Sequence, residues 1–163
     1  MREHALRARI RIWLGVFVLG LVLSGLTAFP LEREARWLVR SLHESGLADR
    51  WPELTLWIAR VNQGLSETYS AYPFVAYGTD WLAFAHLVIA LAFWGCLRDP
   101  VRNVWVVDFG MIACAAVIPF ALVCGRLRGI PWFWQGVDMS FGVLGFVPLW
   151  VARRSIRRLP SGP

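Results

Sequence analysis

Four long apolar runs decide what this chain can fold into, because each is long enough to cross a bilayer. A hydrocarbon core of about 30 Å takes roughly 20 helical residues to span. Ile12 to Phe29 carries no charge, and Trp81 to Leu97 carries none at neutral pH but contains His86. Asn103 to Gly125 contains Asp108 and Pro119, and Ile130 to Ala152 contains Gln135, Asp138 and Pro148. With 57% apolar residues, ten Trp and ten Phe in 163 residues, water is not this chain's main solvent. The expectation is an all-α polytopic membrane protein, a single membrane domain over 1–163 with transmembrane helices at 12–29, 81–97, 103–125 and 130–152. The start MREHALRARIR has the charge of a signal peptide, but the run after it is long for one and no small-x-small cleavage pattern follows. An uncleaved first helix is therefore expected, and the end LPSGP is expected to be disordered.

Net charge is +6, and every one of the 17 basic residues is arginine. Arg2, Arg7, Arg9, Arg11, Arg98, Arg102, Arg153, Arg154, Arg157 and Arg158 flank the spans on one side. The remaining arginines are spread over the other side, where the acidic residues of the first loop offset them. Positive charge retained near the cytoplasmic ends of helices gives a bacterial-type inner membrane protein with both termini cytoplasmic. The same distribution suits anionic lipid, and no nucleic-acid-binding pattern is visible. Cys96, Cys114 and Cys124 lie in or at the end of apolar runs without metal-ligand spacing, which predicts plain buried thiols and no metal site.

Residues 30–80 form an extracytoplasmic segment too long for a simple connector. Leu31, Ala35, Leu38 and Leu42 repeat at helical spacing up to Gly46. After Asp49 and Pro52, which suit a helix start, a second stripe runs through Leu54, Ile58, Val61, Leu65, Thr68 and Tyr72. Two amphipathic helices lying on the outer membrane surface or capping the bundle are expected, with Trp37, Trp51 and Trp57 at headgroup level. In the spans, Gly20/Ser24/Ala28, Ala121/Gly125 and Gly136/Ser140 have the small-residue spacing of close helix contacts. Pro119 and Pro148 are candidate kinks.

An alternating path through the membrane gathers polar groups that are scattered in sequence. Asp80, His86, Arg126, Arg128, Gln135 and Asp138 would all fall in the outer leaflet, while Asp108 would lie in the cytoplasmic half beside Arg98 and Arg102. A charged side chain at mid-helix costs about 2.5 kcal/mol or more, so such groups face the bundle interior and find partners. The expected ligand site has Asp138 and His86 at its base and the two arginines at its rim. The plainer alternative is that Asp138 and His86 hydrogen-bond across the helix packing. Asp108 has an ordinary account in the helix dipole and a pair with Arg98 or Arg102.

No metal or cofactor is expected. Haem with His86 as axial ligand is an alternative, for which Met139 or Met111 would have to serve as the second ligand. A lipid-linked substrate could be handled by Asp138 with His86 as base and Arg126 or Arg128 as phosphate clamps, although no catalytic arrangement can be read from one sequence. Asp80 and His86, with DMSFGVLGF in the last span, resemble the VanZ-like small membrane proteins linked with glycopeptide resistance. That family's tighter acid-to-His spacing and its Asn after the Asp of the last span are missing here, so the resemblance implies topology and an envelope role more than a mechanism. The reading is a binding or accessory protein with an outward-facing polar pocket for an amphiphilic ligand: a lipid headgroup, an isoprenoid carrier or a quinone. The alternatives are a membrane enzyme acting on a lipid-linked substrate and a structural subunit of a larger membrane complex or homo-oligomer. Membrane lipids are the expected partners.

Overall fold

A computed structural model describes Arg2 to Leu159, the side chain of Arg2 excepted; Met1 and the part of the expected disordered tail from Pro160 onward lie outside the described residues. Within these bounds the fold is all helical: α1 (Arg2–Ala28), α2 (Leu31–Glu44), α3 (Leu47–Arg50), α4 (Pro52–Ala71), a 3-10 turn (Pro73–Val75), α5 (Ala76–Ala92), α6 (Trp94–Arg98), α7 (Val104–Leu127) and α8 (Trp132–Ile156). Four stretches are long and apolar enough to cross a membrane: Glu3–Ala28, Pro73–Arg98, Val104–Leu127 and Trp132–Ile156. Only 17% to 33% of the residues in their most apolar windows are buried, so most of each span presents apolar side chains that the chain itself does not cover. α1 begins well before its uncharged run because Ala, Leu and Arg are strong helix formers, and Glu3 pairs with Arg7 one turn on at 2.9 Å.

The chain divides into two compact units, Met1–Leu21 with Val88–Pro163, and Val22–Leu87; α1 and α5 contribute to both. In the first unit α7 and α8 are antiparallel partners. Their connection is a Schellman turn: Ile130 N–H donates to Gly125 C=O at 2.9 Å and Gly129 N–H to Arg126 C=O at 3.3 Å. Gly129 takes the left-handed conformation this requires, with φ 67°. Pro131 then leads into α8.

The α8 residues Gln135, Asp138, Gly142, Gly145, Leu149, Ala152 and Ile156 alternate in steps of three and four, and all of them are buried or half-buried. They form its packing seam. A Cβ on Gly125 would stand 2.6 Å from the Gln135 Cγ, one on Gly142 2.5 Å from the Cys114 carbonyl oxygen, and one on Gly110 2.8 Å from Leu149. At the far end of this register Arg153 Nε donates to Asp108 Oδ1 at 2.5 Å. Ala121 and Gly125 are buried in the seam as expected, but Gly136 is exposed with open space around it, and Gly142 and Gly145 take the close-contact role. Asp108 pairs with neither Arg98 nor Arg102. It stands on the fifth residue of α7, and the register puts Arg153 opposite it.

The core of this unit is built from Ile10, Leu14, Phe93, Cys96, Val106, Val107, Cys114, Leu149, Ala152, Ile156 and Leu159. The expected second span is not one continuous helix, because the helix breaks at Phe93, which is fully buried and stacks on Phe17 with ring centroids 4.8 Å apart. Asn103 closes the following turn. Its amide donates to the Gly95 and Asp99 carbonyls at 3.1 and 3.0 Å, and the Cys96 thiol donates to the Asn103 carbonyl at 3.2 Å. Cys114 is buried and Cys124 half-buried.

In the second unit α2 and α4 pack on each other, burying Ala35 and Leu42 against a face that includes Thr55 and Ile58. Gly46, at φ 70°, terminates the first of these segments and Pro52 opens α4, while Asp49 belongs to the short α3. Leu54, Val61, Leu65 and Thr68 are half-buried; Tyr72 falls beyond the helix and is exposed. The C-terminal part of α1 meets α5 at Gly25, where a Cβ would stand 3.0 Å from the Ala83 carbonyl oxygen and 3.1 Å from the His86 Cβ. Gly20 and Ser24, expected to make this contact, are exposed.

Candidate functional site

The six polar residues predicted to share a site divide between the units. Asp80 and His86 belong to the second; Arg126, Arg128, Gln135 and Asp138 belong to the first. Asp80 and His86 sit on the same helix but six residues apart, so their side chains leave it in different directions. Asp80 is half-buried and makes no hydrogen bond or ion pair among the described residues.

His86 is half-buried, and its Nδ1 lies 2.8 Å from the Leu82 carbonyl oxygen of its own helix. A carbonyl only accepts, so Nδ1 carries the proton in this bond. In the tautomer that carries its one proton on Nδ1, Nε2 is left as an acceptor or ligand atom. Of the two methionines considered as companion ligands, Met111 packs against the apolar core of the first unit.

Gln135 is a structural residue. Its Nε2 donates to the Ile130 carbonyl at 2.8 Å and its stem covers Gly125, so the side chain closes the α7–α8 turn. Arg126 and Arg128 flank the same turn, exposed and without an ion pair among the described residues.

Asp138 lies one turn past Gln135 on the seam, about 4.5 Å further along the axis. It is half-buried inside a stretch apolar enough to span a membrane, and its carboxylate makes no hydrogen bond or ion pair among the described residues. Its neighbour Ser140 is spent on the Val137 carbonyl at 2.6 Å. Asp108 makes the contrast plain: the other carboxylate within the α7–α8 pair is neutralised by Arg153. The α7–α8 hairpin therefore carries Asp138, half-buried on the seam, and, about its connecting turn, two guanidinium groups without an ion pair among the described residues. Such an arrangement can accept a hydrogen bond from a ligand at depth and hold an anionic group at the surface.

Two structural polar contacts went unread in the sequence. Asp108 and Arg153 stand at nearly equal distances on either side of the 128–131 turn, a symmetry that an antiparallel hairpin makes meaningful. Asn103 gave no such signal, since an amide at a helix start looks the same whether or not it reaches back to cap the preceding turn. Exposed Tyr77, Trp81 and Phe84, stacked edge to face with centroids 5.8 Å apart, form an aromatic stripe at the start of α5, as membrane interfaces favour.

The chain matches no family model, no curated protein and no solved structure, so the similarity to VanZ-like proteins carries no further argument.

Proposed function

We propose that this protein is a small multi-pass membrane protein that binds an amphiphilic ligand at the α7–α8 turn, as a binding or accessory component rather than a catalyst. Arg126 and Arg128 would hold the ligand's anionic or polar head, and Asp138 would accept a hydrogen bond from a group that enters the outer end of the seam. The observation that carries this reading is the Asp138 carboxylate, half-buried on the packing face of a membrane-spanning helix with no partner among the described residues. A charge at mid-span costs about 2.5–3.5 kcal/mol, and an uncompensated one is retained where it has work to do. Asp80 and His86 belong to the other unit, and the reading stands without them.

The arginine distribution supports a bacterial-type inner membrane with both termini cytoplasmic, which puts the α7–α8 turn and residues 30–72 on the extracytoplasmic side. There α2 and α4 would lie at the membrane surface as an amphipathic pair, with exposed Trp37 and Trp51 at headgroup level.

Native mass spectrometry of gently extracted full-length protein tests the function. The expected spectrum shows a retained lipid, isoprenoid or quinone adduct at the α7–α8 turn, and this adduct is lost from Asp138→Asn and from Arg126→Gln/Arg128→Gln. A bound haem with a Soret band, or a stoichiometric protein partner with no small amphiphile, overturns the reading.

A further inference from the structure

A second concentration of charge lies at the other end of α8. Arg9, Trp150, Val151, Arg154, Ser155 and Arg158, all in the first unit, line a recess of about 100 Å³. That is the room of a few water molecules at liquid density and suits one phosphate group. No acid contributes to the lining. Among the described residues, none of the three arginines makes an ion pair or a side-chain hydrogen bond; the nearest acid-paired arginine, Arg153, is spent on Asp108.

The remaining lining fixes what the recess offers. The Arg154 guanidinium carbon stands 5.5 Å from the Trp150 ring centroid, a cation–π contact that steadies the guanidinium group. The Ser155 hydroxyl donates to the Val151 carbonyl at 2.8 Å, so it does not compete for a ligand. A helix C-terminus repels anions through its free carbonyls. Here the N–H groups of Arg157, Arg158 and Leu159 bond the carbonyls of Arg153, Ser155 and Ile156, which weakens that repulsion. The recess thus presents guanidinium donors to an anion.

The arginines also terminate an apolar track. Leu144, Val147, Val151 and Arg154 follow one another in steps of three and four, so they share one face of α8, and Arg158 lies in the turn just past its end. Leu144 and Val147 are exposed at 68% and 46%, leaving an uncovered apolar path that runs within the span and ends at the guanidinium groups. A phosphate on a hydrocarbon chain matches that order of surfaces, and a free anion uses only half of it. We propose that this recess is a binding site for the phosphate headgroup of an anionic membrane phospholipid, whose acyl chain lies along Leu144 and Val147. Basic recesses at membrane-helix ends recognise such headgroups by the same chemistry.

The test uses full-length protein in a mild non-ionic detergent, carrying Arg126→Gln and Arg128→Gln so that the α7–α8 turn does not contribute. Native mass spectrometry reads adducts formed with phosphatidylglycerol, phosphatidylcholine or inorganic phosphate. Phosphatidylglycerol is expected to be retained over phosphatidylcholine, and adding Arg154→Gln with Arg158→Gln is expected to weaken its binding about tenfold or more, as the loss of charge-assisted bonds to phosphate implies. Arg102→Gln, which removes a charge elsewhere, is expected to leave it unchanged. Equal retention of the two lipids, equal loss from Arg102→Gln, or displacement of the lipid by equimolar inorganic phosphate overturns the proposal. Should the doubly substituted recess fail to fold, the comparison between the two lipids on the intact recess decides alone.

Discussion

Two aspartates in adjacent helices meet opposite fates. Asp108 is paired with Arg153, whose side chain is 21% exposed, and the pair therefore lies between a surface salt bridge and a buried one. Exposed pairs contribute about 0–1 kcal/mol, while breaking a buried pair costs about 3–5. Arg153→Gln is expected to lower stability by about 1–2 kcal/mol, in that interval. Adding Asp108→Asn should restore part of the loss, because the orphaned carboxylate goes with it; unfolding in detergent of the two single variants and the double variant closes the cycle. Additive losses would mean the two side chains are not coupled. Asp138→Asn should behave differently, leaving the melting temperature unchanged or raised while abolishing the adduct at the α7–α8 turn, since it removes a desolvated carboxylate that has no partner among the described residues. A fall in melting temperature comparable to that of Arg153→Gln would make Asp138 a structural residue. That Asp138 faces the interior was legible in its sequence, because a charge in a span has few other places to go. The partner of Asp108 was not, because nearest-neighbour reasoning pointed to Arg98 and Arg102 and only the register of α7 on α8 selects Arg153.

At the level of the helices, the existence of the four spans could be read directly, since length and hydropathy decide it, whereas the faces through which they meet could not. Small residues occur in more than one phase along a helix such as α8, and spacing does not say which phase faces a neighbour. Gly136 and Ser140 are spaced four apart, yet Gly136 faces open space, whereas Gly142 and Gly145, three apart, lie against Cys114 of α7. The α8 seam is in fact a regular alternation of three and four, concealed because four of its seven members are Gln135, Asp138, Gly142 and Gly145 rather than apolar side chains. This predicts two opposite results from one kind of substitution. In Gly142→Ala the new Cβ meets the Cys114 backbone oxygen, which cannot swing away, and the overpacking should cost about 1–3 kcal/mol. Gly136→Ala meets nothing within 4 Å and should be neutral or stabilising by about 0.5–1 kcal/mol through lost backbone freedom of the unfolded chain. Equilibrium unfolding of the two variants in the same detergent compares them, and equal damage from both would remove the basis for the seam.

Across the molecule, a sequence places polar residues by depth alone, a coordinate along the helix axis that carries no information about direction around it. Depth alone associates Gln135 and Asp138 with the 126–128 turn, and of the two the structure ties Gln135 to it. It could not show that Gln135 turns onto the Ile130 carbonyl while Asp138 stays without a bond among the described residues, nor that Asp80 and His86 fall in the other unit. The path through the membrane remains the premise of both depth and function, and it makes a prediction of its own. In a background where Cys96, Cys114 and Cys124 are replaced by alanine, single cysteines at Gly64, Arg102 and Arg128 report three segments that are exposed in the fold. A membrane-impermeant maleimide applied to intact cells is expected to label positions 64 and 128, and to reach 102 only after the cells are opened, because arginines cluster on the side that holds Arg102. Labelling of 64 in intact cells but of 128 only after lysis would put the turn in the cytosol. Asp138 would then open toward the wrong compartment for an external ligand, and the function proposed for the α7–α8 turn would fall even though every contact within the hairpin stayed the same.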